Sequence, residues 1–339
     1  MRVCESVGDA RTLRLQLVDE LRRAVGFDAY AFLLTDPETA VGSAPLADVP
    51  CLHELPRLIR LKYLTDVNRW TTLDDAPVAL LQETTRGEPS RSLVWRDLLS
   101  RYGIGDVASS VFKDRFGCWG FLDLWRSGTA ARFTEDEAAF LTDITAPVTI
   151  ALRRSQASTF VVRRSRRPRP GPVVLLLSHN LHVLGQTPET QEYLRVLVPP
   201  AAGSPPIPAS AYNVAGQLLA VEAGVDLNPP SARVHLSDGL WLTLRAARIG
   251  DTGPAEHRDI AVSIEETPPT ERVALFARAF ACSPRESELL GHLAAGSDTR
   301  EVARRMFLSE HTVQDHLKSI FAKTSTHNRR TLMSRALGT

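Results

Sequence analysis

Hydrophobic residues near the end of the chain recur at helical spacing in three consecutive segments. The first begins at Ser283, a residue type that caps helices, and Glu286 follows three positions later to complete a capping box. Gly296 comes after the last apolar position, where helices commonly end in a left-handed residue. A second segment follows, and a third restarts at Ser309. Three short helices joined by tight turns predict a helix-turn-helix motif over about residues 299–318.

The third segment has an apolar face and a polar face when its residues are placed at about 100° per position. The apolar face and the helix before it supply the predicted core of the motif, which consists of Val302, Ala303, Leu308, Val313, Leu317 and Ile320. The opposite face carries His311, Gln314, Asp315, Lys318 and Ala322. A helix fits the major groove of B-DNA, where Gln or Lys can hydrogen-bond base edges. An ordinary helical bundle with a solvated polar face is the alternative.

The residues at these positions resemble the LuxR-type DNA-binding domain, also called NarL/FixJ-type. The likeness covers about 55 residues and rests on Ser283-Pro284-Arg285-Glu286, Glu301-Val302-Ala303, Leu308-Ser309-Glu310-His311-Thr312-Val313, His316, Lys318, Ile320, Phe321, Lys323 and Arg329. It implies a four-helix domain within residues 270–339 whose third helix enters the major groove.

The resemblance also implies which side chains contact DNA. Thr312 is expected at a phosphate, Lys323 and Arg329 near the backbone, His311 at the same surface, and Gln314, Asp315 and Lys318 at the bases. The family commonly has Lys where this chain has Gln314, so adenine becomes a target there. It usually continues with Leu-Gly where Thr324 and Ser325 stand, which changes the turn into the fourth helix.

The first 155 residues alternate between helical and strand patterns. Residues 9–25 have the spacing of an amphipathic helix, 27–34 that of a strand, and 107–113 with 118–125 that of paired strands. The closing segment Gly120-Phe121-Leu122-Asp123-Leu124, followed by Phe133-Thr134-Glu135-Asp136-Glu137, resembles the end of a GAF domain. This resemblance implies a pocket for a small molecule. The aromatic residues that could line it, or simply fill the core, are Tyr30, Tyr63, Trp70, Trp95 and Trp119.

A second strand-and-helix region follows a linker at residues 156–172 that is rich in Arg and Pro. Two strands, helices and then three alternating strands occupy residues 173–266, an order that resembles a PAS domain. A further helix, predicted from Arg272 to Phe280, leads directly into Ser283.

Charge is distributed unevenly although the formal net charge of the 339 residues is only +1. Residues 153–169 hold seven Arg and no acid, and residues 270–339 hold eleven Lys or Arg against seven acids. An acidic body with a basic tail is typical of a nucleic-acid-binding protein with a separate sensory part. The four cysteines are scattered, as expected for reduced thiols in the cytoplasm. No apolar run is long enough for a membrane span, and no signal peptide is expected.

Enzyme motifs are weak in this chain. Gly103, Gly105 and Ala108 match a loose dinucleotide fingerprint, but a helix is predicted before them and a strand after them, the reverse of the required order. No histidine pair has metal-site spacing, and no phosphate-binding loop is present. We therefore expect a protein that is not an enzyme and has no cofactor and no metal.

The patterns predict a multidomain α+β protein, and the resemblances imply GAF-like and PAS-like α/β sensory domains followed by an all-α LuxR-type domain, similar to regulators of the actinobacterial kind. The function implied is transcriptional regulation in the cytoplasm. The expected partners are double-stranded DNA, RNA polymerase, an unknown small molecule and a second copy of the chain. Dimerisation is expected through the sensory domains or the fourth helix, where Leu332, Met333 and Ala336 could pair. A signalling or scaffold protein whose helical tail binds another protein is the alternative.

Overall fold

A computed structural model of the chain describes Cys4 and residues 9–73, 76–128, 132–161, 173–190, 208–237, 239–250 and 258–338. The chain forms two compact units. The first unit consists of residues 1–152, 169–234 and 243–265. The second unit consists of residues 153–168, 235–242 and 266–339.

The first unit begins with five helices and five strands. Its helices are α1 (Ala10–Ala24), α2 (Leu55–Leu64), α3 (Leu81–Thr84), α4 (Leu93–Asp97) and α5 (Glu135–Ser158), the last of which continues into the second unit. Its strands are β1 (Ala29–Thr35), β2 (Gly42–Asp48), β3 (Val78–Leu80), β4 (Ile104–Asp114) and β5 (Gly117–Ser127). They form an antiparallel sheet in the order β2-β1-β5-β4-β3, with the predicted hairpin β4–β5 near its centre.

Two strands of this sheet were not predicted from the sequence. β2 is an edge strand that contains Pro45, and its outer end is exposed, so it lacks the regular alternation of a half-buried strand. β3 is only three residues long. The predicted helix after Thr134 is confirmed together with its capping box, in which Thr134 and Glu137 exchange hydrogen bonds. It extends to Ser158, three residues into the segment predicted as linker.

The strands of the second sheet lie within residues 173–266, the range of the predicted PAS-like domain. It comprises β6 (Val173–Leu177), β7 (Val183–Gln186), β8 (Ser231–Ser237), β9 (Leu240–Arg248) and β10 (Ile260–Glu266), with α6 (Ala209–Glu222) between β7 and β8. Its order, β7-β6-β10-β9-β8, repeats the strand arrangement of the first sheet. The helix predicted after Thr187 and most of the predicted linker lie outside the described residues.

Buried polar contacts join the two sheet regions within the first unit. Arg69 is fully buried and pairs with Asp226 at 2.7 Å, and Arg233 pairs with Asp36 at 2.7 Å. α2 packs directly on α6, because Gly216 leaves space for the ring of Tyr63. The first sheet and most of the second sheet belong to one compact unit, while residues 235–242 of the second sheet belong to the other. The paired residues are 157 and 197 positions apart, so the sequence gives no local sign of their contact.

Five helices form most of the second unit. They are α7 (Pro269–Ala279), α8 (Pro284–Ala294), α9 (Thr299–Arg305), α10 (Glu310–Thr324) and α11 (Arg329–Leu337). Aromatic residues from three parts of the chain complete the core of this unit. Phe160 stacks on Trp241 with ring centroids 5.2 Å apart and meets Phe276 edge-on at 5.3 Å. Within the described residues, no helix is both long and apolar enough to cross a membrane.

Candidate nucleic-acid interface

Ser309 caps the N-terminus of α10. The Ser309 hydroxyl accepts a hydrogen bond from the backbone N–H of Thr312 at 3.1 Å, as a helix cap should. The same hydroxyl lies 2.9 Å from the Thr312 side-chain oxygen. Thr312 is half-buried, and its hydroxyl is therefore fixed at the first turn of the helix.

The inner face of α10 is buried as predicted. Val313 and Ile320 are fully buried, and Leu317 is nearly so. They pack within a core that also includes Val302 and the remaining buried side chains Ala303, Met306, Leu289, Leu290 and Leu293. Leu308 is half-buried, so it lies at the margin of this core because the turn between α9 and α10 carries it towards the surface.

The outer face of α10 exposes His311, Gln314, Asp315 and Lys318. Their short polar side chains form a continuous strip, which we call the α10 outer face. Asp315 accepts a hydrogen bond from the Lys318 ammonium at 3.0 Å and lies 3.5 Å from His311. The Lys318 hydrogen bond lowers the pKa of the Asp315 carboxyl. Exposed pairs of this kind are weak, so Lys318 can leave Asp315 at little cost.

Lys323 is exposed, but its ammonium is paired with a group of another helix. Its ammonium donates to the Glu286 carboxylate at 2.6 Å and to the Ala281 carbonyl at 3.2 Å. Glu286 also accepts from the Ser319 hydroxyl at 2.6 Å and from the backbone N–H of Ser283 at 2.6 Å. The capping box of α8 is thus tied to α10. The contact of Lys323 with the DNA backbone stays a prediction, and in this structure its ammonium pairs with the Glu286 carboxylate.

The surroundings of Glu286 make its charged form favourable. Its side chain is only 4% exposed, and burial alone would raise the pKa of its carboxyl. Hydrogen bonds from Lys323, Ser319 and Ser283 outweigh burial and lower that pKa to about 2. A charged Glu286 therefore fixes the packing of α10 on α8 and, with it, the direction of the α10 outer face.

Arg329 also makes an internal contact. Its guanidinium donates to the Ser297 carbonyl at 2.6 Å, which joins the start of α11 to the loop between α8 and α9. The turn before α11 keeps a left-handed residue despite the departure from the family pattern, because Ser325 adopts φ 51°. Thr324 is buried in the place of the usual Leu, and its hydroxyl donates to the Ile320 carbonyl at 2.8 Å.

The apolar side of α11 is used inside the chain. Leu332 and Ala336 are fully buried, and Met333 is half-buried. Arg335 donates hydrogen bonds to the carbonyls of Phe160 and Thr324. The prediction that Leu332 and Ala336 pair with a second copy is therefore corrected, since both side chains belong to the core of one chain.

Two arginines on α9 were not assigned a role from the sequence. Arg300 and Arg304 are exposed, and no described residue forms an ion pair with either of them. They are one helical turn apart and lie opposite the buried Val302 and Met306. This i, i+4 spacing was the signal that could have identified them as a second cationic contact beside α10.

Metal binding and cysteine chemistry were considered as further functions of the described residues. No group of three or more His, Cys, Asp or Glu suited to a metal ion occurs in the described parts of the chain. Cys282 is a free, buried thiol, and burial raises its pKa to about 12. Such a thiol is a poor nucleophile at neutral pH.

The second unit matches a known family. Residues 281–336 match the model for bacterial regulatory proteins of the luxR family, and this range covers α8 to α11 almost completely. Two similar proteins are the CsgBAC operon transcriptional regulatory protein of Escherichia coli and the probable csgAB operon transcriptional regulatory protein of Salmonella typhimurium. Each is 44% identical over 45 residues, which is 13% of this chain and 21% of the relative.

This chain thus spans about a fifth of the length of the curated relatives that it matches. All of these similarities lie in the helical C-terminal segment of the chain.

Proposed function

We propose that this protein is a sequence-specific DNA-binding transcriptional regulator that inserts α10 into the major groove. The observation that carries the proposal is the division of α10 into a fully buried apolar face and an exposed face of short polar side chains. Gln314 and Lys318 are exposed one helical turn apart, and base recognition in the major groove uses such groups.

The α10 outer face provides the contacts that distinguish bases. Gln314 can bind adenine through its amide, which both donates and accepts hydrogen bonds. Asp315 can accept from cytosine, and Lys318 can donate to guanine once it leaves Asp315. Thr312 and His311, at the start of α10, are assigned to phosphates, together with Arg300 and Arg304 of α9. Phosphate contacts position the helix and carry no sequence information.

Lys323 and Arg329 are assigned a supporting role. Lys323 forms an ion pair with Glu286, and Arg329 donates a hydrogen bond to the Ser297 carbonyl, both within the second unit. Their contribution to DNA binding is therefore to hold α8, α10 and α11 in the binding arrangement.

The first unit is proposed to be the sensory part, with a GAF-like region at residues 1–155 and a PAS-like region at 173–266. The matching strand order of its two sheets supports a relationship between the regions. The protein would act in the cytoplasm, as a homodimer on two half-sites, and would communicate with RNA polymerase. Dimer contacts are assigned to surfaces other than Leu332 and Ala336, which are buried.

Salt dependence of binding tests this function on the full-length chain. A preferred duplex would first be selected from random DNA, and its affinity measured between low and physiological salt. The logarithm of affinity should fall linearly with the logarithm of salt concentration, because phosphate contacts release counterions. Arg304→Ala should reduce that slope by about one.

The matched control is Arg91→Ala, which removes an exposed arginine of the first unit and should leave the slope unchanged. A chain that selects no duplex and ignores DNA at low salt would instead be a scaffold protein whose helical tail binds another protein.

A further inference from the structure

The first unit contains a cavity on one face of the first sheet. It encloses about 850 Å³ of empty space when its open mouth is included. Helices α2 and α6 cover it, and most of its wall is aliphatic or aromatic, as at Leu33, Ile59, Val107 and Phe121. Its predominantly apolar wall is typical of small-molecule sites in proteins. Of the five aromatic residues proposed from the sequence to line a pocket, only Tyr63 is in the wall.

Several residues of this wall carry buried polar atoms without a hydrogen-bond partner among the described residues. Both amide atoms of Asn213, the hydroxyl of Ser109 and one carboxylate oxygen of Asp123 are buried and form no hydrogen bond with any described residue. The three residues are 1%, 3% and 5% exposed. Ser109 and Asp123 are direct cross-strand partners on β4 and β5, so their side chains share one face.

Buried polar atoms without a hydrogen-bond partner lower the stability of the folded protein. A buried polar group without a partner loses its hydration and gains nothing in return, and native proteins rarely leave several together. The amide oxygen of Asn68 adds another unpaired acceptor to the same wall. All of these residues line the same cavity, and a ligand in it is therefore the natural partner for their unpaired atoms.

The charges in the wall define what kind of ligand fits. Lys62 and Asp123 pair at 2.7 Å, with side chains 15% and 8% exposed. Because they neutralise each other, neither is free to balance a charged ligand. The remaining oxygen of Asp123 can only accept a hydrogen bond when the carboxyl is ionised, so the ligand must offer an N–H or O–H donor. Asn213 can both donate to it and accept from it.

We propose that this cavity is a binding site for a neutral small molecule with an apolar body and one polar group that donates and accepts hydrogen bonds, such as an amide. The apolar body lies against the aliphatic wall, and the polar group contacts Ser109, Asp123 and Asn213. The role of this site as the sensor of a transcriptional regulator rests on the proposed function, but binding itself can be measured without DNA.

Three related probes test the ligand class on the full-length protein. Octanamide is neutral and has N–H donors, methyl octanoate is neutral without a donor, and octanoate is an anion. Calorimetric titration and thermal denaturation should show octanamide binding more tightly than either of the others by roughly tenfold, the effect of about one hydrogen bond to a charged group. Equal binding of octanamide and methyl octanoate, or no binding of octanamide, would overturn the proposal.

Neighbouring serines provide a matched pair of variants. Ser109 and Ser110 are adjacent on β4, both buried, and both hydroxyls are unpaired among the described residues, but only Ser109 lines the cavity. Ser109→Ala should weaken octanamide binding about fivefold, and Ser110→Ala should leave it unchanged. Equal effects of the two substitutions would contradict a site at this wall.

Asn213→Leu gives an independent measurement. Replacing an unpaired buried amide with an apolar group of similar size should raise the thermal midpoint of the free protein and abolish the shift caused by octanamide. An unchanged octanamide shift would refute the assigned contact. The affinity of the unliganded variants for the selected duplex is measured separately. If octanamide does not bind but the duplex does, the ligand proposal is wrong and the proposed function stands. If the duplex does not bind, the proposed function is wrong.

Discussion

Charged residues of the first unit and of the α10 outer face belong to the same chemical types but serve opposite purposes. Arg69 and Asp226 are buried together, and their pairing joins distant parts of the first unit. Lys318 and Asp315 are likewise paired, yet their side chains are 71% and 54% exposed. A buried pair must stay together because each charge would otherwise lose both water and partner. An exposed pair can separate, which leaves its members free to bind something else.

The same contrast occurs within a single helix. Lys318 and Lys323 are five positions apart on α10, and the exposed Lys318 donates a hydrogen bond to Asp315 on its own helix. Lys323 instead reaches Glu286, whose carboxylate is buried at the start of α8. The two lysines of α10 therefore differ in whether their partner is exposed on the same helix or buried in another one.

Breaking the buried pair of Arg69 and Asp226 should reduce the free energy of unfolding more than any other change considered. Arg69→Met leaves Asp226 without its partner and should lower the free energy of unfolding by about 3–5 kcal/mol, measured by urea denaturation. The double variant Arg69→Met/Asp226→Leu should recover most of this loss. Arg91→Met breaks an exposed pair and should cost less than about 1 kcal/mol. Similar losses for Arg69→Met and Arg91→Met would contradict the comparison.

Acid should weaken the second unit through Glu286. Its pKa in the folded protein is about 2, below the usual value of 4.5, so its stabilisation is complete above about pH 5 and is lost as pH falls towards 2. The difference in free energy of unfolding between the native protein and Glu286→Gln should shrink by about 3 kcal/mol across this range. Urea denaturation at a series of pH values measures it. A pH-independent difference would show that the charge of Glu286 is not stabilising.

Recognition by the α10 outer face should depend on Gln314. Gln314→Ala should lose about 1–3 kcal/mol of binding free energy for the selected duplex and relax the choice at one base pair. Competition binding with single-base variants of the duplex measures both effects. Gln314 makes no structural contact that the substitution would break in the described chain, so the thermal midpoint serves as the control. Equal losses on selected and random DNA would refute a base contact.

The smallest effect should come from separating the exposed pair on α10. Asp315→Asn removes a charge that repels phosphate and frees Lys318, so affinity for random-sequence DNA should rise about two- to fivefold. Glu288→Gln removes one negative charge from α8, where Glu288 pairs with Arg285, and controls for net charge. An equal rise in both variants would mean that total charge, and not the α10 outer face, determines the effect.

Much of the second unit followed from the sequence because its signals are local. The capping box at Ser283 and the left-handed Gly296 involve residues a few positions apart, and the structure confirms both. The burial of Val313, Leu317 and Ile320 followed from helical periodicity in the same way. Local backbone preference and spacing along one helix are properties that a sequence displays directly.

The first unit was harder to interpret for the opposite reason. β2 and β3 have weak patterns of their own and form because the neighbouring strands β1 and β4 offer hydrogen bonds. The unpaired groups of Ser109, Asp123 and Asn213 meet only after a hairpin and a distant helix have packed. No spacing in the sequence could have brought these three residues together.

The sequence by itself determined the helices of the C-terminal segment, their order and the polar face of α10, because capping and periodicity act within a few residues. The tertiary structure alone decided which charges are free, how the two sheets join and where a ligand could bind. Those outcomes depend on contacts between residues far apart in the chain, and burial sets the electrostatic cost of each one.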